Sequence, residues 1–168
     1  PEISGDELLS LSESMAILLS LNQRLKNEVD EKTQMASSLR ESEEQFKHLF
    51  TEAPLGIALI DSLTGHIHEV NSMFAKITGR TTEEMAHIDW MRITHPDDVQ
   101  EDLDNMVHLK AEEINGFQME KRYIHPDGAT VWMSITVAPV LVKDKTQPRH
   151  LCMIEDITGR KLAEKALQ

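Results

Sequence analysis

Between residues 8 and 46 apolar side chains return every three or four positions: Leu8, Leu11, Met15, Leu18, Leu25, Val29, Ala36, Leu39 and Phe46 share one stripe when a heptad is written with a at 8 and d at 11. That spacing predicts a long helix with a coiled-coil seam. Asn22, Lys32 and Glu43 interrupt the stripe, and a polar residue at such a position fixes register and oligomer number at some cost in stability. Neither Gly nor Pro occurs in 6–53, so the helix is expected to run through, about 70 Å at the α-helical rise. The seam of Leu11, Met15, Leu18, Asn22, Leu25 and Val29 is expected to join two copies of the chain. The alternative, an amphipathic helix lying on its own domain, would outrun the core it could cover.

From residue 54 the period changes from helical to two. Residues 55–60 read as a buried strand, 61–65 (D-S-L-T-G) as a turn and 66–70 as the second strand of a hairpin. Asn71 stands where an N-cap belongs, able to accept from the amide of Met73 or Phe74, ahead of a helix over 72–78 that Gly79 ends. Short helical turns are predicted over 82–86 and 87–91. A longer helix follows over 97–113, opened by Pro96 with Asp97 and Asp98 in its first turn. Strands over 117–124, 129–140 and 150–156 come next, with a tight turn at 125–128 and a looser polar loop at 143–149. A final helix begins at Thr158, and its Leu162, Ala163, Ala166 and Leu167 read as the start of another coiled coil. Strands, helices, then strands again make the class α+β. The apolar positions expected to line the interior are Ile57, Leu59, Phe74, Ile77, Leu103, Met106, Phe117, Met119, Met133, Ile135 and Val137. Such positions build the core first and a ligand cavity second. Nine methionines make that interior adaptable.

The chain of 168 residues has room for one compact domain plus the extended helix. A net charge of −12 argues against nucleic acid, which needs clustered Lys and Arg. The single cysteine, Cys152, excludes a disulfide framework and points to a reducing compartment. The apolar run 15–21 is too short to span a bilayer, so no direct membrane contact and a cytoplasmic location are expected. The chain starts at Pro1 and stops within a helical pattern at Gln168, which reads as a piece of a longer protein.

Six strings occur in order: E-A-P-L-G-I-A-L-I-D at 52–61, E-V-N at 69–71, I-T-G-R-T-T-E-E-M at 77–85, T-H-P-D-D at 94–98, H-P-D-G-A-T-V-W at 125–132 and D-I-T-G-R-K at 156–161. Their succession over some 120 residues resembles a PAS domain with its C-terminal PAC segment, a sensory module of bacterial signalling proteins. The resemblance implies a five-stranded antiparallel sheet flanked by short helices, behind a long N-terminal coiled-coil helix. It divides the chain into 1–45 as signalling helix, 46–157 as PAS domain with PAC segment and 158–168 as the start of an output helix. The string N-Q-R-L-K-N-E-V-D-E-K-T at 22–33 resembles connectors that leave a membrane-embedded or other upstream sensor. The ending D-I-T-G-R-K-L-A-E-K-A-L resembles those leading into a diguanylate cyclase or a histidine kinase, with the cyclase favoured. The resemblance also marks Asp156, Ile157 and Thr158 as the relay from sheet to output helix, Thr158 as its cap and Asp156 as a partner for backbone or a base.

No catalytic constellation stands out, and the fragment is expected to be non-catalytic. Cys152 lacks a Cys-x-x-Cys partner and reads as a small core residue. His66 and His68 share a strand face but lack a third ligand, so no metal is expected. Asp97 and Asp98 are explained by the helix start. In the photoreceptor branch that the resemblance brings in, a reactive cysteine would fall at 87–92, where this chain has none. A haem histidine would fall in the long inner helix, where His108 lies one turn from Asp104 and Glu112, on the pattern of a solvated face. An empty or self-filled interior is therefore the leading expectation, with a small organic ligand or a flavin as alternatives. Two functions follow: a ligand sensor, or a ligand-free dimerisation and relay module.

Overall fold

The computed structural model describes residues 4–141 and 146–167. Residues 143–145 of the expected loop at 143–149 lie outside the described residues. The structure separates into two compact units at Lys47/His48. The first consists of most of helix α1 (Gly5–Glu52). No side chain of α1 is buried, and Leu11, Met15, Leu18, Leu25 and Val29 are each more than half exposed. Ion pairs one turn apart, Glu28 with Lys32 and Arg40 with Glu44, decorate its surface.

The second unit carries β1 (Gly56–Asp61), β2 (Ile67–Val70), α2 (Ser72–Thr78), α3 (Thr82–Met85), α4 (Trp90–Ile93), α5 (Pro96–Lys110), β3 (Phe117–Ile124), β4 (Thr130–Val140), β5 (Arg149–Asp156) and α6 (Thr158–Ala166). The five strands form one antiparallel sheet in the order β2-β1-β5-β4-β3. Local chemistry explains most boundaries. Asn71 caps α2 by accepting from the amide of Phe74, and Gly79 closes it at φ 69°. A capping box of Thr81 and Glu84 starts α3, and Pro96 opens α5.

Three expected boundaries shift. The helical turn expected at 87–91 forms later, as α4, because Asp89 caps the amide of Arg92. His66 leaves β2 and makes an isolated bridge to Asp89. The helix expected to reach 113 stops at Lys110, and Glu112 beyond it takes a left-handed φ of 57°.

The core lies on one face of the sheet, under α2 to α5. It holds Phe74, Met106, Met119, Met133, Ile135 and Val137, with Ile77, Leu103 and Phe117 packed at its margin. Ile57 and Leu59, expected on that face, are on the other. The reason is Gly56: a Cβ there would come 2.4 Å from Ile154 Cγ1 and 3.0 Å from Phe74 Cα, so only glycine can face α2 at this point. The period of two then carries Ala58 and Ile60 inward and Ile57 and Leu59 outward. Because 55–60 is apolar at nearly every position, its letters do not distinguish the two registers.

Candidate functional site

Three clusters connect the elements of the second unit, and none of them rests on a single element. The first is centred on Asn71, which is 2 % exposed. Its side-chain NH₂ donates to the carbonyls of Phe50 and Leu55, and its Oδ1 accepts from the amides of Ile57 and Phe74, all four at 2.9 Å. An amide with two donors and two acceptor sites is thereby fully used. Beside it Ser72 Oγ donates to the carbonyl of Thr51 at 3.0 Å. The last turn of α1, the start of β1 and the start of α2 are thus fastened to one side chain. The expected capping bond to Phe74 is present; the other three bonds join residues too far apart in sequence for a local pattern to reveal them.

The second cluster is at the far end of β5. Ile157 N–H donates to the carbonyl of Trp132 at 2.9 Å, and the amide of Trp132 donates back to Thr158 Oγ1 at 2.9 Å. Asp156 Oδ1 accepts from the amide of Thr158 at 2.9 Å. Asp156, Ile157 and Thr158 therefore sit together where sheet becomes α6. Thr158 does not cap the helix as expected, since it is already the first helical residue and its hydroxyl faces β4; the capping contact to its amide comes from Asp156. The amide of Lys161 donates to the carbonyl of Ile157, which is buried.

The third cluster fills the interior. Alternation along β3 turns Met119, Lys121 and Tyr123 inward. Lys121 is 2 % exposed and forms an ion pair with Asp102 of α5, itself buried. Its Nζ also donates to Thr94 Oγ1 at 3.3 Å and stands 4.6 Å from the Trp90 ring centroid and 4.9 Å from that of Tyr123. Two aromatic faces and a carboxylate replace the ammonium's hydration shell. Around this pair lie Ile60, Met106, Ile135, Val137, His150 and Cys152, and the space left among them is about 10 Å³, room for no more than one water. Burial pushes the Cys152 thiol up to about 12, so it stays protonated, and desolvation likewise raises Tyr123. Sequence reasoning treated this interior as apolar. The missed signal was the period of two through Met119, Lys121 and Tyr123.

His150 completes the cluster, its Nδ1 3.0 Å from Ser62 Oγ. Burial, reinforced by the nearby charges of Lys121 and Lys110 against that of Asp61, lowers its pKa to about 4. The folded state therefore keeps His150 neutral, whereas the unfolded chain takes up a proton near pH 6.5. Its contribution to stability is complete above about 6.5, is lost as pH falls toward about 4, and amounts to roughly 3 kcal/mol at most. Urea unfolding at steps from pH 7.5 to 4 should show that slope, and His150→Gln should flatten it.

The other candidates lie on the surface. His66 and His68 meet edge to face with centroids 5.4 Å apart, both exposed. His108 is exposed and its Nδ1 lies 2.5 Å from Glu113 Oε2. Among the described residues no group of three or more His, Cys, Asp or Glu is placed to hold a metal. Asp98 does more than start α5: it takes both Nε and Nη2 of Arg122, at 2.9 and 2.6 Å, and this pairing holds its carboxyl below the usual range.

Comparison with known proteins settles the family. The sequence profile described as PAS domain matches residues 54–159, more than half of the chain. The chain belongs to the PAS family. Its relatives include the probable diguanylate cyclase DgcE of Escherichia coli (strain K12), 31% identical over 130 residues, which are 77% of this chain and 12% of that protein. The sensor histidine kinase TmoS of Ectopseudomonas mendocina is 26% identical over 167 residues, 99% of this chain and 17% of that protein. The chain thus spans under a fifth of either relative. The crystal structure of a PAS domain from Colwellia psychrerythraea superposes with a TM-score of 0.62 at 20% identity, covering 69% of this chain and 97% of that one. The PAS fold, its five-stranded sheet and its place in signalling proteins are thereby shown, and the domain is a sensory rather than a catalytic module. No helix among the described residues is long and apolar enough to cross a membrane.

Proposed function

We propose that this chain is the cytoplasmic relay segment of a bacterial signalling protein, dimerising through the α1 seam and passing movement of that helix through the PAS sheet to α6 and a downstream catalytic domain. A diguanylate cyclase is the favoured output and a sensor histidine kinase the alternative, by analogy with the two relatives. The division into a signalling helix over 1–45, a PAS domain over 46–157 and an output helix from 158 belongs to this reading. The observation that carries it is Asn71: one buried side chain binds the end of α1 to both the first strand and the first helix of the domain, so a shift of the helix end cannot leave the sheet unaffected. The Asp156-Ile157-Thr158 turn forms the matching exit. A second observation favours helix input over a ligand. The interior is packed around the Lys121–Asp102 pair, and a flavin or small organic ligand would have to displace those side chains. In this reading Phe74, Met106, Met119, Met133, Ile135 and Val137 serve as core.

Inserting residues into α1 of the full-length protein tests the relay. Seven extra residues after Val29 keep the heptad phase and should preserve regulated output, whereas four extra residues rotate the seam and should lock output high or low. Equal output from both insertions, with folding intact, would defeat the reading. Asp156→Ala should likewise uncouple input from output without loss of the folded domain. Sedimentation of the purified chain should give a dimer, and Leu18→Glu with Leu25→Glu should give a monomer.

A further inference from the structure

β3 grips α5 with two consecutive residues. Lys121 reaches inward to Asp102, while Arg122 takes Asp98, one helical turn earlier, on the outside. The outer grip also covers part of the sheet edge. The amide of His95 donates to the carbonyl of Arg122 at 2.8 Å, and the amide of Arg122 donates to Asp98 Oδ2 at 2.8 Å, so the outward backbone groups of Arg122 on this edge strand are satisfied by the start of α5. The Arg122 guanidinium then lies 5.3 Å from the Trp132 ring of β4. A second cation, Lys161 of α6, stands 5.1 Å from the same ring. Lys161 and its neighbour Arg160 both reach Glu120 of β3, each at 2.5 Å.

We propose that Arg122, Trp132 and Lys161 form a latch that holds α6 against the sheet, and that α5 sets this latch through Asp98. Asp98 orients the guanidinium by a bidentate pair, the guanidinium and Trp132 lock each other's rotamers, and the indole face presented to Lys161 depends on both. Arg122 is a positioning residue in this scheme: it acts on α6 through Trp132. Because Asp98 and Asp102 share α5, any event that draws Asp102 away from Lys121 loosens the helix that holds Arg122. Interior and exit turn are thus joined by a path of side chains that does not run through the strand backbone. This rests on the reading above only in treating α6 as the output element.

The test uses the chain itself and not its output, so failure of the latch and failure of the relay are distinguishable. Trp90 is 5 % exposed and Trp132 is partly exposed, so acrylamide quenching reports chiefly Trp132. Asp98→Asn should raise that quenching and speed exchange of the Lys161 amide by roughly three- to fivefold, the size of a partly exposed cation–π contact. Arg122→Lys keeps the charge but loses the bidentate fork, and should do the same. Combining Asp98→Asn with Lys161→Met should add nothing to the effect of Lys161→Met on α6 exchange, because the latch is already open. If Asp98 serves only the start of α5, then Asp98→Asn will loosen α5 amides while leaving Trp132 quenching and α6 exchange unchanged. Either that result or strict additivity in the double variant overturns the latch.

Discussion

Asp102→Ala is expected to be among the most destabilising single substitutions in the domain, costing about 3–5 kcal/mol. The change leaves the Lys121 ammonium buried, with its side chain 2 % exposed and Thr94 Oγ1 as its remaining hydrogen-bond partner. The aromatic rings of Trp90 and Tyr123 offset part of that penalty, but neither can accept a full ion pair. A domain stable by ~5–15 kcal/mol loses a large share of its margin. The companion Lys121→Met, Asp102→Leu removes both charges together, fills the same space with apolar atoms and should restore most of the loss, since a buried pair is often no more stabilising than its hydrophobic replacement. Urea unfolding followed by tryptophan emission measures both. A cost under about 1 kcal/mol for Asp102→Ala would mean that water reaches Lys121 and that the interior is more open than the 10 Å³ left around it. A double variant as unstable as the single one would locate the cost in packing and not in charge.

Asn71→Ala should follow closely, at about 2–4 kcal/mol, because it strands the amides of Ile57 and Phe74 and removes the donors to Phe50 and Leu55. The distribution of the loss is more telling than its size. Asn71→Asp keeps both accepted bonds and so keeps β1 and the cap of α2, yet it sets a carboxylate oxygen against the carbonyls of Phe50 and Leu55. Amide exchange in Asn71→Asp should therefore accelerate at 48–52 while the sheet stays protected. In the full-length protein the same variant should weaken coupling of α1 movement to output more than its loss of stability would explain. Uniform acceleration across the sheet would show that Asn71 is a fold determinant without a special hold on the helix end.

The residues behind these two predictions were legible to different degrees. Asn71 could be read as a cap because its amide partner is three residues away; its bonds to Phe50 and Ile57 span 21 and 14 residues. Lys121 could have been placed inside from the alternation of its strand, yet nothing local pairs it with Asp102, 19 residues earlier. Trp132 falls in the strand expected over 129–140, but the two cations that flank it come from β3 and α6. The error at Ile57 and Leu59 has the same origin, since a strand apolar on both faces takes its orientation from what packs on it.

The sequence by itself determined the class, the element order and most helix and strand limits, because periodicity, caps and turns act among residues within about four positions of one another. It also determined the family, through strings whose order survives without any contact between them. Tertiary structure alone decided the facing of β1, the burial of a charged pair in an interior that reads as apolar, and the sharing of Asn71 and Trp132 among distant elements. Those outcomes depend on which strands lie side by side and which helix covers them, a choice made by the summed packing of the whole core and by no local pattern.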